Sequence, residues 1–328
     1  MQHRFLGRTG VRVSSLGLGT MSFGKDDAVD AQMFAMARDA GVDLFDCADV
    51  YNAGAAEVSL GKLVAPCRDR VVLTTKAYFP MGPDGNDRGT SRYHLVRAVE
   101  ASLRRLGTDR IDLFFLHRFD EVTALDETLR AVEQLVTSGK ILYPAVSNFA
   151  AWQTARALGL AERHGWQPLV CVQPMYNLAK RQVETEILPL CRAERIGALV
   201  YSPLGGGLLS GEYGRQTRPD AGRLTQSPMY AVRYGATEYY DLAERFTAFA
   251  HDHGFEPAAL AIAWCTSHPD VTAALLGARG PEQLAACLRA ASIELSVELR
   301  AAISTLSPTP APATDRSEEG TADALGSR

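Results

Sequence analysis

Eight short apolar segments, each followed by a stretch of helical periodicity, constrain this chain more than any other feature. They run Leu16 to Leu18, Val42 to Asp46, Val71 to Lys76, Ile111 to Leu116, Ile141 to Ser147, Leu169 to Gln173, Ala198 to Tyr201 and Val271 to Leu276. Strands alternating with helices are the pattern of parallel βαβ units, because parallel neighbours need a long crossover and a helix supplies it. The helical stretches bear this out: Leu95, Val96, Val99, Leu103 and Leu106 recur at three- and four-residue steps, with Arg97, Glu100, Arg104 and Arg105 opposite. Eight such units either close into a (β/α)₈ barrel or lie open as a doubly wound sheet, and periodicity alone does not separate the two.

With 46% apolar and 22% charged residues the chain has material for a large core. One barrel domain over residues 1–306 fits this length. Ahead of the first strand, Arg4 to Leu6 and Val11 to Val13 flank Gly7 and Gly10 and read as a β-hairpin placed to cap the barrel floor. Beyond Leu306 the Pro-, Ser- and Thr-rich stretch 307–328 has no usable apolar face and reads as a disordered tail. Two connections are long, Tyr78 to Thr90 and Glu212 to Thr237, and both follow strand ends. Long loops in compact domains tend to carry function.

The net charge of −4 comes from interspersed charges of both signs, which offers no footprint for nucleic acid or an anionic membrane. A small-molecule partner fits better. No apolar run approaches a membrane span, and Met1-Gln2-His3-Arg4 lacks the apolar core of a signal peptide. The six cysteines form no C-x-x-C pair and no zinc-like spacing, so they read as reduced thiols of a cytoplasmic protein with no metal site.

The residues that can carry chemistry stand at strand ends. Asp46 and Tyr51 close the second apolar segment, Lys76 the third, and His117 follows the fourth. A barrel gathers such residues at one mouth. Singly each has an ordinary reading: a helix cap, a half-buried ring, a surface cation, a satisfied strand-end histidine. Together they suit carbonyl reduction, in which an alkoxide-like oxygen develops and needs a proton donor and positive potential. Tyr51 is the donor, the Lys76 ammonium favours its phenolate and lowers its pKa, Asp46 is the counter-ion of Lys76, and neutral His117 orients the carbonyl.

This set closely resembles that of the aldo-keto reductase family, in particular its bacterial and potassium-channel β-subunit branch. The likeness runs from Arg4 to about Leu288 and includes Leu6-Gly7-Arg8-Thr9-Gly10, Leu16-Gly17-Leu18-Gly19-Thr20-Met21 and Ser147-Asn148-Phe149. The resemblance implies a barrel with a nicotinamide cofactor extended across its mouth. It implies that Ser147, Asn148 and Gln173 bind the carboxamide and that Tyr201 stacks on the nicotinamide. Ser202, Pro203, Leu204, Gly205 and Gly206 would meet the pyrophosphate, with Thr20 and Met21 lining the groove. Gly277, Arg279 and Gln283 correspond to the adenosine site, where Arg279 would pair with a 2′-phosphate, so NADP is expected ahead of NAD. Glu212 replaces a phosphate-binding Lys, and Ala286 and Cys287 replace adenosine-contacting Glu and Asn. Arg215, Arg218, Arg223 and Arg233 in the long loop are possible sources of the missing positive charge.

Physical reading agrees on one point. Gly205-Gly206-Gly207 directly after a strand lets backbone approach a phosphate, while neither glycine cluster completes G-x-G-x-x-G, which favours the barrel over a Rossmann sheet. For the substrate wall the candidates are Phe23, Phe79, Arg118 and Phe119, beside Tyr51 and His117. The rings suit hydrophobic or flat carbonyls, whereas Arg118 and the polar run Asp84 to Arg88 suit sugars or acids. Two other functions stay open: a cofactor-binding regulatory partner with little turnover, and a Schiff-base aldolase using Lys76.

Overall fold

The structure is a computed structural model that describes residues 1–314. Strands β1 (His3–Phe5) and β2 (Arg12–Ser14) form an antiparallel hairpin. Eight parallel strands follow: β3 (Leu16–Gly19), β4 (Leu44–Asp46), β5 (Val72–Ala77), β6 (Ile111–Leu116), β7 (Ile141–Ser147), β8 (Cys171–Gln173), β9 (Gly197–Val200) and β10 (Ala273–Leu276). Each pairs with its sequential neighbour, and β10 returns to β3 with Leu275 opposite Gly17, closing the barrel. All eight apolar segments are strands of this one barrel, several a residue or two shorter than the apolar run.

Side chains alternate across each strand, and the two faces find different surroundings. Leu44, Leu113, Phe115, Ala145, Cys171, Leu199, Ala273 and Leu275 point inward and fill the barrel, with Leu6 and Val13 of the hairpin packed beneath them. The other parity, among them Phe45, Leu73, Phe114 and Val146, packs against the surrounding helices. Those helices are α1 (Asp27–Asp39), α2 (Ala55–Val64), α3 (Arg92–Leu106), α4 (Leu125–Thr137), α5 (Ala151–His164) and α6 (Ile187–Glu194). After β9 come α7 (Arg223–Gln226), α8 (Pro228–Tyr234), α9 (Thr237–Asp252) and α10 (Pro257–Thr266), and after β10 come α11 (Pro281–Leu288) and α12 (Val297–Ser304). Helix α3 shows how the chain specifies such an element: the Ser91 hydroxyl accepts from the His94 N–H at its start, Leu95, Val99 and Leu106 are buried, and Gly107 in left-handed conformation ends it.

The stretch Glu212 to Thr237 differs from its sequence reading as a plain loop. It contains α7 and α8, and Tyr213, Leu224, Tyr230 and Tyr234 build a satellite core with Leu208 and Tyr240. After α12, Ser307 is buried, its carbonyl and that of Ser304 accept from Arg181, and the Thr185 hydroxyl donates to the Ala311 carbonyl. The rest of the expected tail, Asp315 to Arg328, lies outside the described residues. No helix among the described residues is long and apolar enough to cross a membrane.

Candidate active site

Strand parity explains why the candidate residues meet. Asp46, Lys76, His117, Ser147, Gln173, Tyr201 and Gly277 stand in turn two residues beyond Leu44, Thr74, Phe115, Ala145, Cys171, Leu199 and Leu275, all of them inward-facing positions. Each therefore continues the inner face one layer above the core, at the carboxyl end of its strand.

Lys76 is fully buried and its Nζ donates to Asp46 Oδ2 at 2.7 Å and to the Cys47 carbonyl at 2.6 Å. An ammonium has three donors, so one remains, and the nitrogen lies 5.2 Å from the centre of the Tyr51 ring. Asp46 is held in turn by the Thr74 hydroxyl at 2.7 Å and by Gln173 Nε2 at 2.8 Å, both on Oδ1. Burial alone would lower the Lys76 pKa, but the Asp46 carboxylate and the nearby phenol outweigh it and the ammonium is stabilised. For Tyr51 the outcome departs from the sequence expectation. Burial pushes the phenol up to about 12, and the downward pull of Lys76 only partly offsets this. The Tyr51 proton is therefore held firmly at neutral pH. His117 stands edge-on to Tyr51 with ring centres 6.1 Å apart, and burial followed by the Lys76 charge depresses its pKa to about 3. Its ring is neutral, and its buried Nδ1 has no partner among the described residues.

A cavity of about 970 Å³ runs from this group to α11. Met21, Ser147, Asn148, Gln173, Tyr201, Ser202, Pro203, Leu204, Gly206, Gly277, Arg279 and Gln283 line it, as do Glu212, Ala286 and Cys287. Asn148 has φ +57° and is clamped by three contacts: its Nδ2 donates to the His117 carbonyl and to Ser147 Oγ, both at 3.0 Å, and its Oδ1 accepts from the Tyr201 hydroxyl at 2.7 Å. Gly205, Gly206 and Gly207 all have positive φ, and a Cβ at Gly206 would meet the Tyr230 ring at 2.6 Å. Gln283 accepts the Arg279 N–H at 3.0 Å, and the Arg279 guanidinium donates to the Ala221 carbonyl at 3.3 Å, joining α11 to the stretch Glu212 to Thr237, the flap.

Several expected residues lie elsewhere. Phe23 is fully buried in the core and does not reach the cavity, because Thr20 accepts its N–H in a tight turn that carries the ring inward. Thr20 is itself buried, its hydroxyl donating to the Asp46 carbonyl at 3.0 Å, so it supports the floor and does not line the groove. Gly205 is buried behind Gly206. Phe119 turns away onto Phe149 and Trp152. Phe79 does line the mouth, its ring 4.9 Å from that of His117, and so does Arg118. Of the four loop arginines, Arg223 and Arg233 reach the cavity, while Arg215 pairs with Asp241 and Arg218 stacks on Tyr240 at 3.8 Å.

Sequence reasoning missed three supports. Asn177 is buried and its Nδ2 donates to the Ser202 carbonyl at 2.9 Å and the Tyr234 hydroxyl at 3.0 Å, holding Ser202 at φ +56°. Ser210 lines the cavity beside the glycine turn with a buried hydroxyl that has no protein partner among the described residues. Asp49 is buried with both carboxyl oxygens unpartnered. A lone Asn, Ser or Asp in a loop carries no periodic signal, which is why none stood out.

The residues present fit an extended nicotinamide dinucleotide. Amide and hydroxyl groups line the cavity beside Asp46, Tyr51 and His117, and a glycine turn, the orphaned Ser210 hydroxyl and the guanidiniums of Arg223, Arg233 and Arg279 line the same cavity. Comparison with known proteins points the same way. The sequence model of the aldo/keto reductase family matches residues 15–307. An uncharacterized oxidoreductase of Bacillus subtilis (strain 168), YrpG, is 38% identical over 325 residues, which cover 94% of this chain and 97% of that protein. Two probable voltage-gated potassium channel beta subunits, from Arabidopsis thaliana and Oryza sativa subsp. japonica, are each 35% identical over 302 residues, which cover 89% of this chain and 92% of theirs.

Proposed function

The chain belongs to the aldo/keto reductase family, whose members carry out NAD(P)H-dependent oxidoreduction of carbonyls, and from that premise we propose a specific reaction for it. It transfers hydride reversibly between NADPH and an aldehyde, ketone or sugar-type carbonyl, with Tyr51 as general acid and base. The observation that carries this reading is the Tyr51 ring beside the buried Lys76–Asp46 pair and facing a neutral His117.

When bound, the reduced nicotinamide supplies the hydride, with both electrons, to the carbonyl carbon. The chain's own residues do the rest. His117, neutral at working pH, donates a hydrogen bond to the carbonyl oxygen and sets its direction. Tyr51 releases its proton to that oxygen as the carbonyl π bond breaks, so the alcohol gains one hydrogen from each source. The remaining phenolate is stabilised by the spare donor of Lys76 and regains its proton from solvent. Asp46 keeps Lys76 charged and in place. Gln173, Ser147 and Asn148 would hold the carboxamide, Tyr201 the ring face, Gly206 and Ser210 the pyrophosphate.

NADPH is preferred in this reading because Arg279, Arg223 and Arg233 share the cavity wall, against Glu212 and Glu256. The six unpaired cysteines suit a cytoplasmic setting. An imine-forming Lys76 is disfavoured by the same contacts that hold its ammonium charged. A regulatory cofactor-binding role draws support from the likeness to channel beta subunits, and turnover decides between the two. Replacing Tyr51 by Phe is expected to cut kcat on an aldehyde panel by about 10²- to 10⁴-fold with cofactor binding kept. Turnover within two-fold of the natural protein would remove Tyr51 from the mechanism.

A further inference from the structure

Arg118 is the residue of the mouth to which the proposed reaction gives no task. It directly follows His117, it is exposed in the cavity wall, and among the described residues it has neither a carboxylate partner nor an aromatic ring beneath it. The other guanidiniums of the cavity are engaged: Arg223 and Arg233 lie over Tyr230, and Arg279 donates to the Ala221 carbonyl.

The turn itself keeps Arg118 free. Its natural partner, Asp120, is occupied on both oxygens. Oδ2 accepts from the Thr90 N–H at 2.8 Å, the Thr90 hydroxyl at 3.2 Å and the Thr123 hydroxyl at 2.8 Å, while Oδ1 accepts from the N–H groups of Val122 and Thr123. Phe119 is anchored outward on Phe149 and Trp152. The segment His117-Arg118-Phe119-Asp120 is thus pinned at every position except Arg118. The polar run Asp84 to Arg88, the other sequence signal for a polar substrate, does not line the cavity, and its Asp87 pairs with Arg97.

A guanidinium in the wall of a concave cavity that Phe79, Met21 and Val50 also line is less screened than one on open surface, and its fork matches a carboxylate or phosphate. We infer that the substrate is an anionic carbonyl compound whose carboxylate or phosphate group seats on Arg118 while its carbonyl oxygen lies between Tyr51 and His117. A short apolar or aromatic spacer rests on Phe79. This rests on the carbonyl-reducing reading above and narrows it to acids.

The test compares 4-formylbenzoate with its neutral methyl ester, and adds 4-formylphenyl phosphate to tell carboxylate from phosphate. In the natural protein kcat/KM for the better anion should exceed that for the ester about 10- to 100-fold, the range for charge-assisted hydrogen bonds. The ratio should shrink with added salt. Arg118→Gln should bring it close to one, and Arg118→Lys should retain part of it as a point charge without the fork. A ratio near one in the natural protein, or one that Arg118→Gln leaves unchanged, overturns the inference while the reductase reading stands. If none of the three aldehydes turns over, the reductase reading fails, and calorimetry with 4-(hydroxymethyl)benzoate and its methyl ester reads the anion site directly. An affinity preference for the acid that Arg118→Gln abolishes supports the site, and equal affinities overturn it.

Discussion

Asp49 sits two residues before Tyr51, fully buried, with its N–H donating to the Lys76 carbonyl at 3.1 Å. Neither carboxyl oxygen has a partner among the described residues, and the neighbouring Glu57 is already engaged by the Thr75 hydroxyl and Arg105, each at 2.6 Å. Burial and then the Glu57 charge push the Asp49 carboxyl up to about 7. The folded protein therefore binds this proton more tightly than the unfolded chain, where an aspartate titrates near 3.9. The stability that Asp49 contributes is full below about pH 4 and is lost as pH rises through about 7, by at most about 4 kcal/mol. Asp49→Asn should accordingly gain in Tm relative to the natural protein as pH goes from 5 to 8. An offset that stays constant over that range would show that Asp49 is not protonated in the fold. Nothing in the sequence separates Asp49 from a surface aspartate. Its burial comes from the turn Tyr51–Gly54, where Asn52 and Ala53 take left-handed conformations and Asn52 Nδ2 ties back to the Phe23 carbonyl at 2.6 Å. Asp46 and Lys76 were legible because strand parity, visible in the sequence, puts them on one face.

At the scale of elements, strands and flap differ in how openly they are written. Strand β6 is apolar apart from Asp112, with His117 directly after it, and its alternation survives in the fold, Leu113 and Phe115 inside the barrel and Phe114 and Leu116 against the helices. The flap is obscured because α7 has only four residues and the buried positions, Leu224 in α7 with Tyr230 and Tyr234 in α8, are spread among arginines and a proline. What organises it is contact across the chain: Tyr230 lies on Gly206, and the Tyr234 hydroxyl takes the Asn177 amide at 3.0 Å. The glycine turn and the flap are therefore one unit. Gly206→Ala would place a methyl 2.6 Å from the Tyr230 ring at φ +73°, a backbone strain of about 1–2 kcal/mol before any clash. Either the turn or the flap must shift, so the Kd for NADPH, read by quenching of protein fluorescence, should rise roughly ten-fold. An unchanged Kd would mean that the turn does not meet the pyrophosphate.

Closure of the barrel is the whole-molecule property that no local pattern contains. Periodicity permits an open sheet equally well, and the decision lies in the β10–β3 pairing, where Gly17 leaves room for Leu275 and Leu44, which a Cβ would meet at 2.8 and 2.9 Å. Closure has an energetic consequence for the cofactor. The cavity is walled by strand ends from around the barrel, the flap and α11 together, so a ligand there binds only the folded chain and stabilises it by mass action. At a concentration 100-fold above Kd the gain is about 2.7 kcal/mol. For a chain of this size that corresponds to a Tm rise of roughly 5 °C. The arginines are unevenly placed, with Arg279, Arg223 and Arg233 in the wall and Glu212 opposing them, so the 2′-phosphate should add to this rise. At equal concentrations NADPH should raise Tm by several degrees more than NADH, and Arg279→Ala should narrow the gap by lowering the NADPH shift alone. Equal shifts from the two cofactors would leave the 2′-phosphate without a part in binding and Arg279 with its structural contact to Ala221.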